Sequence, residues 1–190
     1  MPNKVIVRIS IGTAFILLIP LIAMQFTDEV DWDLFDFAFM GTLLFGTGLT
    51  YELVTRKASN VVYRVGVGVA VTAAFLLVWV NGAVGIIGNE GNPANVMYFG
   101  VLAVGFTGAV IARFESRGMA RTLFATALAQ ALVPIIALIV WNPQVSSWGA
   151  AGVSGVFVLN AFFVLLFVGS ALLFRHASLS KKIKKCCLDK

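Results

Sequence analysis

Charged residues are scarce in this sequence. Lysine, arginine, aspartate and glutamate together make up 12% of its 190 residues, whereas about a quarter of a typical soluble domain is charged. Hydrophobic residues make up 59%, and the mean hydropathy is +0.94. This balance excludes an ordinary soluble domain and places the chain among integral membrane proteins.

Residues that usually carry catalysis or hold cofactors are also rare. His176 is the one histidine, and the sequence has no P-loop, dinucleotide-binding fingerprint, CxxC pair or Gly-x-Ser-x-Gly motif. The two cysteines, Cys186 and Cys187, are adjacent, and neighbouring cysteines rarely close an unstrained disulfide. We therefore expect no enzyme activity, no cofactor, no metal centre and no disulfide framework.

Six apolar runs are each long enough to cross a bilayer, which takes about 20 residues. The first run follows Lys4 and Arg8 as a signal peptide would, but it continues to Phe26 without a small-x-small cleavage site, so we interpret it as a retained span. Glycines dilute the start of the sixth run and leave five spans as the alternative. The predicted spans are 5–25, 34–54, 62–82, 96–113, 122–141 and 153–174.

The distribution of basic residues indicates the orientation of these spans. All 14 lysines and arginines fall on one side of the predicted bundle, at the ends of the six runs or in the tail. Cytoplasmic loops are the ones that carry such residues. The opposite connections, 27–33, 88–95 and 142–152, contain none. Both termini are therefore predicted to be cytoplasmic, and five spans would break this sorting. Because topology explains the net charge of +5, it is no argument for a nucleic-acid partner.

The predicted fold is an all-α polytopic bundle of six transmembrane helices over residues 1–176, followed by a basic cytoplasmic tail, 177–190. Arg8, Arg64 and Arg121 open the odd-numbered spans at separations of 56 and 57 residues. This period indicates three tandem helical hairpins. Since each hairpin would enter and leave on one side, the repeats are parallel, unlike the inverted repeats of many secondary transporters.

Few polar side chains interrupt the apolar runs. Glu52 lies one turn before the end of the second run, and Arg56 follows on the same helical face, so an interfacial ion pair explains it and a proton or cation site is the alternative. Asn81, Gln130 and Asn160 belong to three different spans. Such amides usually form hydrogen bonds between helices, and a hydrophilic pathway is the alternative.

Five carboxylates lie within nine residues of the connection between the first two spans, at Asp28, Glu29, Asp31, Asp33 and Asp36. A cluster of this kind could concentrate cations at a pore mouth or bind calcium. The glycine and terminal glutamate of an EF-hand loop are missing, however. We interpret the cluster as a topology signal and a helix start, with Asp33 as the N-cap.

The connection 88–95 is rich in turn-forming residues, and Asn92 or Asn95 is predicted to cap the fourth helix. Our preferred location for a ligand is a polar vestibule that this connection and Glu90 would form with residues at similar depth. Those residues are Trp79, Asn81 and Tyr98. Elsewhere, glycines such as Gly105 and Gly108 predict closely packed helices, which leave little space for a wide pore.

The segments 31–37 and 79–95 resemble those of small multi-spanning bacterial inner-membrane proteins that have no established activity. The resemblance implies a bacterial cytoplasmic membrane and carries over no catalytic or binding residue. We carry two hypotheses for function. The first is a structural or accessory membrane component whose partners are membrane lipids, a second copy of itself or another membrane protein. The second is a small-solute or cation permease, with Glu52, Gln130 and Asn160 along a narrow path.

Overall fold

Long apolar helices dominate the computed structural model, which describes residues 2–27, 30–56, 58, 60–140, 148–149 and 152–188. A 3₁₀ turn, Pro93–Val96, leads directly into the fourth helix. Within the described ranges no residue is in a strand, which confirms the prediction of an all-α protein. The helices are α1 (Pro2–Ala23), α2 (Leu34–Thr55), α3 (Val61–Ala83), α4 (Met97–Ile111), α5 (Ser116–Val140) and α6 (Gly152–Leu188).

Each of the six helices is long and apolar enough to cross a membrane, with the 3₁₀ turn counted as part of the fourth span. A helix satisfies its own backbone hydrogen bonds, as the bilayer interior requires. The threonines of α2 also remain satisfied, because Thr42, Thr47, Thr50 and Thr55 each donate to the carbonyl four residues earlier, at 2.7 to 2.8 Å. The six helices are thus compatible with a multi-pass membrane protein.

Two helix boundaries differ most from the predicted spans. α5 begins at Ser116, six residues before the predicted start at 122, because the arginines of its first turns are compatible with a helix and can extend to the interface. α6 continues through the predicted tail to Leu188. Lysine favours helices almost as well as leucine. The apolar run therefore ends near residue 176, but the helix continues beyond it.

The helices divide into two compact units, Met1–Arg56 and Lys57–Lys190. In the first unit, α1 packs antiparallel against α2. A Cβ atom at Gly41 would lie 3.3 Å from Leu17 Cδ1, and one at Gly48 would lie 3.0 Å from Ile9 Cγ2. Glycines on α2 therefore receive side chains of α1, in agreement with the expectation of close packing.

In the second unit, α6 lies against both α3 and α5, and α4 lies against α5. The first and third predicted hairpins, α1 with α2 and α5 with α6, are well-packed pairs, whereas α3 and α4 touch only sparingly. Gly105 and Gly108 of α4 face Thr126 and Thr122 of α5, so the α4–α5 interface is close. α5 and α6 thus form the interior of this unit, and most of its buried polar residues belong to these two helices.

Candidate functional site

Three helices of the second unit bring a tyrosine and two amides together, and we call Tyr98, Gln130 and Asn160 the polar triad. Gln130 Nε2 on α5 donates to Asn160 Oδ1 on α6 at 2.9 Å. The Tyr98 hydroxyl on α4 lies 3.2 Å from the same oxygen and accepts from Asn160 Nδ2 at 3.0 Å. Asn160 Nδ2 also donates to Val156 O at 2.8 Å. Asn160 is therefore the centre of the triad.

The polar triad is sealed from solvent and lipid. Gln130 has no accessible surface, and Tyr98 and Asn160 are 1% and 2% exposed. An amide in such surroundings needs hydrogen-bond partners, since a buried polar group without one costs about 1–3 kcal/mol. Asn160 has them, but Gln130 Oε1 is buried and has none among the described residues. Gln130 Oε1 is therefore the free acceptor of the triad, whereas both amide hydrogens of Asn160 are already donated.

A second group of amides ties down the loop 84–92 that follows α3. Asn95 Oδ1 accepts from the backbone N–H groups of Ile86 and Ile87, at 3.2 and 2.9 Å. Asn95 Nδ2 donates to Ile87 O at 3.2 Å and to Asn89 O at 2.6 Å. One buried side chain thus satisfies four backbone groups that have no helical partner, and the loop is held as a folded unit.

The backbone of this loop requires glycine at one close approach. Gly85 has φ +68°, and a Cβ atom there would collide with the backbone of Asn89. Gly149, from the α5–α6 connection, also has a positive φ of 75°, and a Cβ atom there would lie 2.7 Å from Gly88 O. Both positions need a residue without a Cβ atom, so the backbone of the 84–92 loop packs closely against itself and against Gly149.

Asn81 connects α3 to these amides. Its Nδ2 donates to Asn95 O at 3.2 Å, while its buried Oδ1 has no partner among the described residues. Asn95 and Tyr98 are one turn apart on the continuous helical stretch from the 3₁₀ turn into α4. Buried polar groups therefore run from α3 through the start of α4 to α6 and α5, with an unpaired carbonyl oxygen on Asn81 and another on Gln130.

The acidic candidates are not among these buried polar groups. Glu90 is exposed at the tip of the 84–92 loop, and Trp79 is 39% exposed. Glu52 belongs to the first unit, where it is half-buried near the end of α2. Of the described residues, none forms a salt bridge with Glu52 or with Arg56. The structure thus brings Asn81, Gln130 and Asn160 into one polar array, together with Tyr98 and Asn95.

The acidic cluster before α2 has a structural use. Asp33 is the N-cap of α2, as predicted, since Asp33 Oδ1 accepts from Asp36 N at 2.9 Å and Asp33 N donates to Asp36 Oδ2 at 3.1 Å. This reciprocal pair is a capping box. Asp31 is exposed, and the predicted members Asp28 and Glu29 lie outside the described residues. Two of the five carboxylates therefore act on the helix start.

The prediction that Asn92 or Asn95 caps the fourth helix was wrong, because the N-cap of α4 is Val96, which forms no side-chain cap hydrogen bond. Asn92 Oδ1 accepts from Ala94 N at 3.0 Å and begins the 3₁₀ turn. Asn95 instead faces backward onto the 84–92 loop, a long-range role that its sequence position did not reveal. Asn60, which caps α3 through bonds to Val62 N and Tyr63 N, was missed. An asparagine directly before an apolar run is the signal that predicts it.

No protein-family model, curated protein or solved structure matches this chain. Within the described residues, no group of three or more histidine, cysteine, aspartate or glutamate side chains could hold a metal ion. The chemistry that the array offers is hydrogen bonding between neutral groups. It can join helices α3 to α6, and its two unpaired carbonyl oxygens can accept hydrogen bonds.

Proposed function

We propose that this protein is a structural or accessory component of a bacterial cytoplasmic membrane, with six spans and both termini in the cytoplasm. The observation that carries the proposal is the hydrogen bonding of Asn160, whose side-chain amide is fully bonded to Tyr98, Gln130 and Val156. A polar side chain whose bonds are consumed between helices stabilises a bundle. The placement of the basic residues supports the orientation.

The character of the buried polar side chains also favours this function. Those of the described residues are threonine, serine, asparagine and glutamine, without an aspartate, glutamate, lysine, arginine or histidine. Proton relays and cation pathways usually depend on ionisable groups inside the membrane. A core that holds only neutral polar groups is better suited to assembly than to ion transfer.

Exposed apolar helix faces provide the surfaces for such a role. Apart from the half-buried stripe that packs against α2, the side chains of α1 are exposed, with Phe15 72% and Ile19 67% exposed. In a bilayer these side chains contact lipid acyl chains, a second copy of the protein or another membrane protein. Membrane lipids and a protein partner are thus the proposed binding partners, and nucleic acid is not.

A small-solute or cation permease is the second candidate, and one specific observation favours it. Gln130 Oε1 and Asn81 Oδ1 are buried acceptors without a partner among the described residues. Water or another hydrogen-bond donor would satisfy them. A passage along the amide array would therefore select solutes that donate hydrogen bonds.

Flux through proteoliposomes separates the two candidates. We would measure the entry of sodium, potassium, ammonium and urea into vesicles that contain the wild type, Gln130→Leu, Asn160→Leu or Glu52→Gln. The accessory function predicts flux equal to that of empty vesicles for every protein. A flux that Gln130→Leu abolishes, and that the exposed control Gln25→Leu preserves, would replace the accessory function with the permease.

Crosslinking in native membranes tests the accessory function directly. A photoreactive residue at Phe15 or Ile19 of α1 would capture whatever covers that face. We expect one discrete protein adduct, either a dimer of this chain or a single membrane partner identified by mass spectrometry. Capture of lipid alone at both positions, and equally at Phe106 of α4, would contradict a protein partner at α1.

A further inference from the structure

Tyr63 connects three separate elements at one end of the second unit. Its ring meets the ring of Phe174 edge-on, with centroids 5.0 Å apart and an interplanar angle of 87°. Its hydroxyl donates to Phe114 O, in the connection between α4 and α5, at 2.7 Å. Tyr63 is 8% exposed and Phe174 is fully buried. α3, the α4–α5 connection and α6 are therefore fixed to one another at this point.

Each of the three connected residues has an arginine as its immediate neighbour in the sequence. Arg64 follows Tyr63, Arg113 precedes Phe114, and Arg175 follows Phe174. We call Arg64, Arg113 and Arg175 the arginine hub. All three are exposed, and none forms a salt bridge with another described residue. Three arginines from distant parts of the sequence thus adjoin residues that contact one another, and none of them is neutralised by a salt bridge within the described residues.

The connection between α4 and α5 has an unusual backbone. Arg113 and Phe114 have φ values of 48° and 58°, in the left-handed region that residues with a side chain seldom adopt. Such conformations persist only when their surroundings hold them in place. Here Phe114 N donates to Ala109 O at 3.2 Å, and Phe114 O accepts from the Tyr63 hydroxyl. The position of Arg113 therefore depends on Tyr63.

The surroundings of the arginine hub suit a lipid better than a protein segment. Apolar side chains beside it are exposed, with Val61 71%, Ile111 82% and Phe114 42% accessible. They belong to the turn between α4 and α5 or to the ends of helices that are long and apolar enough to cross a membrane, and acyl chains meet headgroups at the ends of such helices. Two further exposed arginines, Arg117 and Arg121, follow on α5, and Glu115 is the one acidic residue in this connection.

We propose that the arginine hub binds the phosphate group of an anionic phospholipid, whose acyl chains cover the neighbouring apolar side chains. Guanidinium groups form paired hydrogen bonds with phosphate oxygens, and basic residues near a membrane surface attract anionic headgroups. The contacts of Tyr63 preorganise the site by holding the three backbone segments that carry these arginines against one another. This inference is independent of whether the protein acts as an accessory component or a permease.

Lipid binding to the delipidated full-length protein tests the proposal by native mass spectrometry, with phosphatidylglycerol and phosphatidylcholine titrated separately. The triple variant R64Q/R113Q/R175Q should bind phosphatidylglycerol at least about tenfold more weakly than the wild type. The matched control K4Q/R8Q/R56Q removes the same charge from exposed positions of the first unit. It should change this affinity by less than about twofold, and phosphatidylcholine binding should be equal in all three proteins.

Two milder variants keep the test decisive if the triple glutamine variant does not insert. R64K/R113K/R175K preserves every charge but removes the planar guanidinium groups, and Tyr63→Phe preserves the ring contact with Phe174 but removes the bond to Phe114 O. Both should weaken phosphatidylglycerol binding and leave phosphatidylcholine binding unchanged. Wild-type affinity in both variants would overturn the proposal.

Two other results would also overturn it. An equal loss in the hub variant and in the control would show a general charge effect. Displacement of phosphatidylglycerol by a polyglutamate peptide, at concentrations where inorganic phosphate has no effect, would assign the arginines to an acidic protein segment instead.

Discussion

Gln130 on α5 donates to Asn160 on α6 across 2.9 Å, and the two amides are satisfied to different degrees. Asn160 uses both its oxygen and its nitrogen, whereas Gln130 leaves Oε1 without a partner among the described residues. A bond between two amides on different helices is usually worth about 1 kcal/mol in a membrane protein. Their unequal satisfaction means that removal of each one should have a different cost.

Asn160→Leu should destabilise the protein by about 1–3 kcal/mol, because it leaves the Gln130 amide and the Tyr98 hydroxyl buried without partners. Gln130→Leu should cost less than about 1 kcal/mol, since it also removes an acceptor that was already unpaired. Unfolding equilibria in mixed micelles measure both changes. If Gln130→Leu were the more damaging substitution, Oε1 would have an important partner, such as bound water.

Gly108→Ala should destabilise the protein by about 1–3 kcal/mol through overpacking. A Cβ atom at Gly108 would lie 2.5 Å from Thr122 Cγ2 and 2.8 Å from Thr122 Oγ1. Gly100 of α4 is the matched control, since nothing lies within 4 Å of a Cβ atom there.

Gly100→Ala should therefore be neutral or stabilising, because alanine favours a helix by about 1 kcal/mol over glycine. Thr122→Ala should partly restore the stability of Gly108→Ala. Thermal unfolding of Gly108→Ala, Gly100→Ala and the double variant Gly108→Ala/Thr122→Ala tests these expectations. Equal effects of the two glycine substitutions would contradict the close α4–α5 interface.

Asn95→Asp should loosen the 84–92 loop while α4 remains folded. The aspartate keeps the acceptor for Ile86 N and Ile87 N but loses the donor to Ile87 O and Asn89 O, and it buries a carboxylate. We expect faster amide hydrogen exchange at Ile86 and Ile87 than in the wild type. Asn92→Ala is the control, because it removes only the bond to Ala94 N. Equal exchange in both variants would mean that Asn95 does not hold the loop.

Asp33→Ala should destabilise the start of α2 by about 1 kcal/mol, the usual cost of losing an N-cap side chain. Asp31→Ala should have little effect on stability, because Asp31 is exposed and outside the capping box. Hydrogen exchange at Phe35, Asp36 and Phe37 would report the difference. A comparable loss of protection in both variants would indicate that the cluster acts through its total charge, as a cation-attracting site would.

The spans and their pairing show how far local pattern carries a prediction. Helix α3 was predicted at 62–82 and is observed at Val61–Ala83, because runs of about 20 apolar residues have one stable form in lipid. Asp33 was predicted as an N-cap from its position alone. The packing of α3 against α6 rather than α4 was not predicted, since hydropathy is nearly uniform around these helices and does not indicate which face meets which neighbour.

The candidate site likewise combines residues that the sequence predicted with contacts that it did not predict. Asn81, Gln130 and Asn160 were recognised from sequence because an amide in an apolar run must find a partner. Which partner each one finds was not visible, and neither was the role of Asn95, whose bonds reach six to nine residues back into the 84–92 loop. The arginine hub likewise depends on a contact between Tyr63 and Phe114, 51 residues apart.

By itself, the sequence determined that this protein is helical and has six segments long and apolar enough to cross a membrane, because solvation of side chains and backbone is a local property of each segment. Only the tertiary structure decided that Tyr98 and Gln130 converge on Asn160, and that Tyr63 contacts Phe114 and Phe174. These arrangements depend on the contacts between helices. Such contacts follow from the complementarity of whole surfaces, which no single stretch of sequence contains.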